Sequence, residues 1–489
     1  FFYTHTPPTP IPLRLVGSEM CIRDSDVIDP ATEDRLGQIP ETTQVEMEDV
    51  IASANKAQKI WNAKSALDRS HVLHEVANKI SEMGPLFAEA LTREMGKPYK
   101  ESMDEVHWSV HNIRFYAEMG RGETGKVIGS AVEGQFHYTL KQPLGTCVLI
   151  LPFNYPMVLL AWEASAALAA GNSVIIKPSQ YTSLTTLLFA KAFSALPEGL
   201  FQVVTGEAPA GKFLVEHPDT HMIAFTGSVP VGVGIASKCG ELMKRSLIEN
   251  SGNDPFIVMP SAPMDITARA AAFSAYMNCG QICVSAERFF VHEKIHDEFV
   301  EKLVEETKKI RVGNGLDKVD MGPIVSEKER DRYEKVLNKA LSEGAEAVTG
   351  GERLSEFNKG WFVAPTVLTN CSDEMSIFNN ESFGPVAPIC KVSSFDEAMQ
   401  KSNNSKYGLG ANIYTSDLSE GIRAAEQFEA GMVWVNAPLL DNDAGPFGGT
   451  KLSGMGRQLG AEGLETFRDT KTVMIDPDCQ PQDFWWFPY

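Results

Sequence analysis

The cysteines of this chain form no framework. There are 8 of them (Cys21, Cys147, Cys239, Cys279, Cys283, Cys371, Cys390, Cys479), scattered and without a Cys-x-x-Cys pair. That excludes a small disulfide-built fold and points to a reducing compartment, so a cytoplasmic location is expected. None of the 10 histidines stands at zinc-ligand spacing to them, and His71 and His74 belong to no His-Glu-x-x-His motif. A metal site is therefore not expected. Basic runs are absent too: 44 Lys and Arg stand against 64 Asp and Glu, for a net charge of -20. Nucleic acid is not an expected partner of so acidic a surface. Nor is there an uninterrupted apolar run of membrane length. Leu144 to Trp162 carries no charge, but Pro152, Asn154 and Pro156 fall in its middle, so it reads as strand, loop and helix. No secretory signal pattern is visible. A Gly-x-Gly-x-x-Gly fingerprint is missing as well; Gly454-Met455-Gly456 follows no clear strand.

What is present is a regular rhythm. Residues 1–25 stand apart: Thr6-Pro7-Pro8-Thr9-Pro10 is loop-like and Leu13–Ser25 resembles translated adaptor sequence, so an artefactual or disordered tail is expected. Helical periodicity runs over Glu46–Met83 and Leu86–Met119. From Thr146 short apolar runs alternate with helical ones. Strands are expected at Thr146–Leu151, Ser173–Lys177, Phe201–Thr205 and Met222–Thr226, and helices at Met157–Ala170, Thr182–Ala195, Ala208–Glu216 and Val231–Cys239. That order implies a parallel, doubly wound α/β sheet with ligands at the carboxyl ends of its strands. A second α/β pattern follows, with strands at Pro255–Met259 and Glu287–Val291, helices at Thr267–Asn278 and Lys294–Ile310, and an end near Val435. Lys471–Ile475 is a last strand, and the aromatic ending Phe484–Tyr489 reads as interface or tail.

The loops at the strand ends carry the chemistry. Cys283 lies between an expected helix end and a strand, where a thiolate is readily stabilised. A buried structural cysteine is the plain alternative. Asn154 follows a strand and carries an amide able to bond an oxyanion. Glu249 ends an apolar strand, where partial desolvation suits a base. Gly227, Ser228 and Gly232 open a helix where backbone amides can meet a pyrophosphate.

Six stretches resemble the NAD(P)-dependent aldehyde dehydrogenase superfamily, in family order. They are Pro-Phe-Asn-Tyr-Pro at 152–156, Ile-Lys-Pro-Ser at 176–179, Phe-Thr-Gly-Ser at 225–228, Gly-Gln-Ile-Cys at 280–283, Glu-Ser-Phe-Gly-Pro-Val at 381–386 and Pro-Phe-Gly-Gly-Thr-Lys-Leu-Ser-Gly-Met-Gly-Arg at 446–457. The resemblance spans about Asp26 to Ile475. It implies a Rossmann-type doubly wound cofactor domain (26–124 and 144–250), a second α/β catalytic domain (251–469) and a small β oligomerisation segment (125–143 and 470–489). It also implies roles. Cys283 is the nucleophile, Asn154 and the Cys283 N–H form the oxyanion hole, and Glu249 activates water. Phe153, Lys177, Ser179, Gln180, Gly227, Ser228, Gly232, Glu381 and Phe383 hold the cofactor. The expected reaction takes an aldehyde through a thiohemiacetal and a thioester to a carboxylic acid, with NAD or NADP as acceptor, in a homodimer or homotetramer.

The chain departs from the family in three places. Glu249-Asn250-Ser251-Gly252-Asn253 replaces Glu-Leu-Gly-Gly-Lys, Gln180 stands where Glu often favours NAD, and Glu163 stands where relatives carry Lys or Arg. Cys279 is expected beneath the site, on the face of Cys283 if the helix continues. Other readings are a CoA-acylating relative, which would lack Glu249; a non-catalytic binding protein; and a Cys-His hydrolase, which leaves the cofactor loops unexplained.

Overall fold

The computed structural model describes residues 24–479, with 481 and 487. The tail expected over 1–25 lies outside the described residues as far as Arg23, as does most of the aromatic ending. Asp24 and Ser25 do not belong to a tail. They open strand Asp24–Ile28, whose ladder pairs Asp24 with Pro40 and Ser25 with Ile39.

The amino-terminal helices break where local chemistry breaks them. Glu46–Met83 is two helices, Gln44–Asn62 and Ala66–Glu82. Thr43 and Glu46 form a capping box on the first, and Ser65 caps the second through the Asp68 N–H. Leu86–Met119 likewise divides into Gly84–Met95 and Tyr99–Met119, because Gly96 takes φ +97° and Pro98 cannot continue a helix. The stretch Thr182–Ala195 is an α-helix only over Ser183–Ala190 and tightens into a 3-10 turn to Ala195.

The first large sheet holds six strands in the order Gly454–Met455, Arg245–Glu249, Met222–Thr226, Thr146–Ile150, Ser173–Lys177, Phe201–Val203. All pair in parallel except the short first one. Val148, Ile175 and Ile223 at its centre are fully buried, each worth roughly 1.5–3 kcal/mol of transfer free energy. From Thr146–Ile150 the chain winds outward one way, then returns to place Met222–Thr226 on the other side. The switch point lies between those two strands, and a crevice opens at their carboxyl ends.

A second sheet runs Glu346–Thr349, Thr366–Cys371, Val386–Val392, Ala286–His292, Asp254–Val258, Gly410–Tyr414, Met432–Val435, parallel apart from its first member. A third is antiparallel: Arg468–Ile475 pairs along Phe136–Pro143, which pairs with Val127–Ile128. The apolar cluster against the first sheet also takes in Ile282, Val284, Trp434 and Phe447, so the two halves meet around residue 283. The apolar run at 144–162 resolves into strand, loop and the wholly buried helix Pro156–Ala170. Among the described residues no helix is long and apolar enough to cross a membrane.

Candidate active site

Cys283 stands on a strained loop. Helix Met264–Tyr276 stops two residues short of its expected end, because Asn278 and Cys279 take φ +50° and +57°. Such left-handed residues cost on the order of 1–3 kcal/mol each unless their surroundings enforce them. Here they do. The Asn278 N–H donates to Glu101 at 3.1 Å, and its side-chain amide donates to the Asn154 carbonyl at 3.3 Å. Gln281 closes the loop onto the Asn278 carbonyl at 3.0 Å and accepts from the Val325 N–H at 3.0 Å. A Cβ on Gly280 would fall 2.3 Å from the Gly384 carbonyl, so only glycine fits. The helical i, i+4 relation of Cys279 to Cys283 is therefore lost. Cys279 packs into the core of the second sheet, whereas Cys283 is half-buried and opens on two cavities.

The setting of the Cys283 thiol is contrary to the expectation of a stabilised thiolate. Burial, then Glu249, Asp254 and Glu381, pushes its pKa well up, so the resting group is a thiol. Glu249 ends strand Arg245–Glu249 and is 2% exposed. Burial pushes its carboxyl up to about 8. The Cys283 thiol and Thr226 hydroxyl face it, yet among the described residues neither oxygen gains a hydrogen bond of good geometry. Thr226 stands beside it as its register partner on the next strand. Asn154 is buried on the loop after Thr146–Ile150 and lines both cavities, as Cys283 does.

The altered segment after Glu249 does not displace it. The Asn250 N–H donates to the Ser453 carbonyl at 2.8 Å, its amide donates to the Leu452 carbonyl at 2.9 Å, and the Ser453 hydroxyl donates to the Ser251 carbonyl at 2.7 Å. Strand Gly454–Met455 then pairs with Ile248 and Glu249. The Ser251 hydroxyl faces Glu381. Gly252, not residue 251, is the position that a Cβ cannot share: it would fall 2.2 Å from the Cys283 carbonyl oxygen.

Glu163 gains a setting that the sequence did not suggest. It is 1% exposed on helix Pro156–Ala170, and its Oε1 accepts from the Gln458 amide at 2.6 Å, with the Thr226 hydroxyl at 3.5 Å. Among the described residues its other oxygen has no hydrogen-bond partner. Burial, and then the like charge of Glu249, pushes it up to about 8.

On one side of Cys283 lies an open cleft of about 780 Å³ walled by Phe153, Thr226, Gly227, Ser228, Glu381 and Phe383. Ser228, which lines the cleft, precedes helix Val229–Glu241 without a side-chain cap, so that helix begins at the cleft wall. A Cβ on Gly232 would meet Asn250 Oδ1 at 1.9 Å, which keeps this helix tight against the Glu249 strand end. Phe153 and Phe383 meet edge to face at 5.8 Å. Glu287 holds the Glu381–Phe383 turn, accepting from the Ser382 N–H, Ser382 hydroxyl and Phe383 N–H, each at 2.8 Å. Arg332 donates to the Ser382 carbonyl at 2.9 Å. Lys177, Ser179 and Gln180 lie outside this cleft, at and just beyond the end of the neighbouring strand. Gln180 is exposed, and the buried Lys177 ammonium donates to the Pro178 carbonyl at 3.1 Å. An elongated dinucleotide fits this arrangement, with an uncapped helix start between an aromatic pair and a lysine.

On the other side lies a cavity of about 530 Å³, lined by Trp108, Tyr155, Trp162, Met277, Leu439 and Phe447 with Asp441. Trp162 and Phe447 have centroids 5.0 Å apart, and Trp108 and Tyr155 6.3 Å. Crowding and Asp443 push the Asp441 carboxyl up. Its residue stands exposed at the rim, however, and solvent restores most of the charge there. Tyr155, Phe447 and Thr226 stand inside the quoted motifs but drew no role there, whereas Trp108, Trp162 and Glu287 stand outside every motif and come from separate elements.

A sequence profile of the aldehyde dehydrogenase family matches residues 18–473. The chain belongs to that family. It is 36% identical over 460 residues to a betaine aldehyde dehydrogenase of Brucella anthropi, covering 93% of this chain and 94% of the relative. Its fold is similar to that of a Staphylococcus aureus betaine aldehyde dehydrogenase solved in complex with NAD+, with a TM-score of 0.92 at 30% identity, covering 95% of this chain and 94% of that one. An aldehyde dehydrogenase from Brucella melitensis biovar abortus 2308 superposes with a TM-score of 0.90 at 34% identity, over 92% and 93% of the two chains.

Proposed function

We propose that this protein oxidises an aldehyde bearing a cationic head group to its carboxylic acid, with NAD+ as acceptor and NADP+ tolerated. One observation carries the reading: Cys283 and Asn154 sit where a nucleotide-sized cleft meets an aromatic cavity. Glu249 takes the Cys283 proton as the sulfur adds to the carbonyl, and the Asn154 amide with the Cys283 N–H holds the oxyanion. The hydride leaves for the nicotinamide ring, which is the chemistry the cofactor supplies. Glu249 passes that proton to solvent and, ionised again with Thr226 against it, deprotonates the water that releases the acid. Glu381 and Phe383 flank the nicotinamide side, Gly227 and Ser228 meet the pyrophosphate, and Lys177 and Ser179 reach the adenosine ribose. Neutral Gln180 sets no negative charge against a ribose phosphate, which favours tolerance of NADP+.

A quaternary ammonium suits the Trp108, Tyr155, Trp162 and Phe447 cavity with Asp441 at its rim. The names of the relatives agree. Domain boundaries at 26–124 with 144–250 and at 251–469, an oligomerisation sheet from 125–143 and 470–489, and a cytoplasmic location belong to the same reading. A direct test compares betaine aldehyde with tert-butylacetaldehyde, its uncharged isostere, under both cofactors. Cation–π attraction worth about 0.5–2 kcal/mol predicts a kcat/KM ratio of roughly 2 to 30 in favour of the cation. Equal kcat/KM for the two would sink the cationic assignment.

A further inference from the structure

Lys97 is an unusual lysine. Its side chain is 0% exposed, and so is that of Glu105, its ion-pair partner at 2.8 Å. Burying such a pair costs desolvation that the attraction alone seldom repays, so stability is a weak reason for it. The ammonium makes two other contacts. It donates to the Asn154 carbonyl at 2.5 Å and lies 3.7 Å from the centre of the Tyr155 ring. Glu105 meanwhile accepts, through its other oxygen, from the Met157 and Val158 N–H groups at 2.7 and 3.1 Å. The pair thus grips successive points of one loop, from the Asn154 peptide to the first turn of helix Pro156–Ala170.

The grip has a fixed base. Lys97 lies between two helices, after the left-handed Gly96 and before Pro98. Cβ atoms on Gly315 and Gly322 would fall 2.4 Å from the Lys97 carbonyl and 2.0 Å from the Gly96 carbonyl. Backbone packed that closely cannot drift, so the ammonium is held from behind. From the opposite side, the Asn278 amide of the nucleophile loop donates to the same Asn154 carbonyl. The Asn154 peptide is pinned between the two.

We propose that Lys97, neutralised by Glu105, is a positioning residue for the oxyanion hole: it fixes the Asn154 peptide and keeps the Asn154 side-chain amide aimed at the oxygen of the Cys283 adduct. This rests on the reading of Asn154 as the oxyanion donor. A misplacement of about 1 Å in such a donor is enough to cost a large factor in rate.

A double-mutant cycle on the full-length enzyme tests it, read as the first-turnover rate of NADH formation. Asn154→Ala alone is expected to slow that turnover on the order of 100- to 1,000-fold. Lys97→Met with Glu105→Gln removes both buried charges together, which avoids an unpaired carboxylate. It is expected to slow the parent about tenfold or more, to slow the Asn154→Ala enzyme less than about twofold, and to leave NAD+ affinity unchanged. Equal slowing in both backgrounds, or none in the parent, overturns the role of Lys97 while leaving that of Asn154 standing. An unslowed Asn154→Ala enzyme overturns the oxyanion reading itself, and this proposal with it. Should the charge-free pair fail to fold, Lys97→Arg is carried through the same cycle with the same outcomes.

Discussion

One sulfur and two buried carboxyls, Glu249 and Glu163, define the residue scale. Cys283 is held as a thiol by burial and by Glu249, and Glu249 is itself pushed up to about 8. The proton that leaves the sulfur therefore has beside it a carboxyl whose own proton affinity burial has raised. Glu163, also pushed up to about 8, shares Thr226 and a like charge with Glu249. Such a pair titrates jointly. Removing one charge lets the other ionise more readily. Glu163→Gln is therefore expected to move the acid limb of kcat to lower pH, read from a profile between pH 6 and 10; an unmoved limb would deny the coupling. The stability sign follows from the same shift. A carboxyl whose folded pKa lies above its unfolded value near 4.5 stabilises the fold below that value and loses the contribution as pH rises through about 8. The gain in Tm from Glu163→Gln should accordingly grow between pH 5 and 9.

At the scale of elements, the site is three loops brought together by glycine contacts and turn geometry. A Cβ on Gly252 would meet the Cys283 carbonyl oxygen at 2.2 Å and Asp254 Oδ1 at 2.8 Å. Gly252→Ala should cost roughly 1–3 kcal/mol of stability and slow turnover on the order of 100-fold by moving the nucleophile. A thermal melt and kcat together check this, and a fully active variant would show that the loop has slack. Elements were legible in the sequence where they depend on local periodicity. The βα rhythm from Thr146 to Glu249 was plain, and so were Cys283, Asn154 and Glu249 as candidates on their loops. The left-handed Asn278 and Cys279 were not, because the bonds that enforce them come from Glu101 and from the Asn154 loop. Lys97 and Glu287 stayed hidden for the same reason. Their partners lie up to 96 residues away in the chain, and no motif links them.

At the scale of the molecule, the winding of the first sheet puts Pro152–Pro156 and Gly227–Ser228 on either side of a switch point, and residues 282–284 of the second half pack against it. The aromatic cavity is a whole-molecule property as well, since Trp108, Trp162 and Phe447 come from three distant segments. The third sheet exposes Val127, Phe136, Leu140 and Ile475 on one face. An apolar face of this kind calls for a cover. Sedimentation at micromolar concentration is expected to give a dimer or tetramer, and a lone monomer would leave that face unexplained.

The central claim is that Cys283, and not Cys279, carries the acyl group before Glu249 delivers water. Its most direct measurement is acid quenching of Glu249→Gln enzyme mixed with betaine aldehyde and NAD+, followed by peptide mass spectrometry. About one NADH per active site should form in the first turnover, with the acyl mass on Cys283 and steady turnover slowed on the order of 100-fold or more. An acyl group on Cys279, no covalent adduct at all, or undiminished turnover in Cys283→Ala would contradict it.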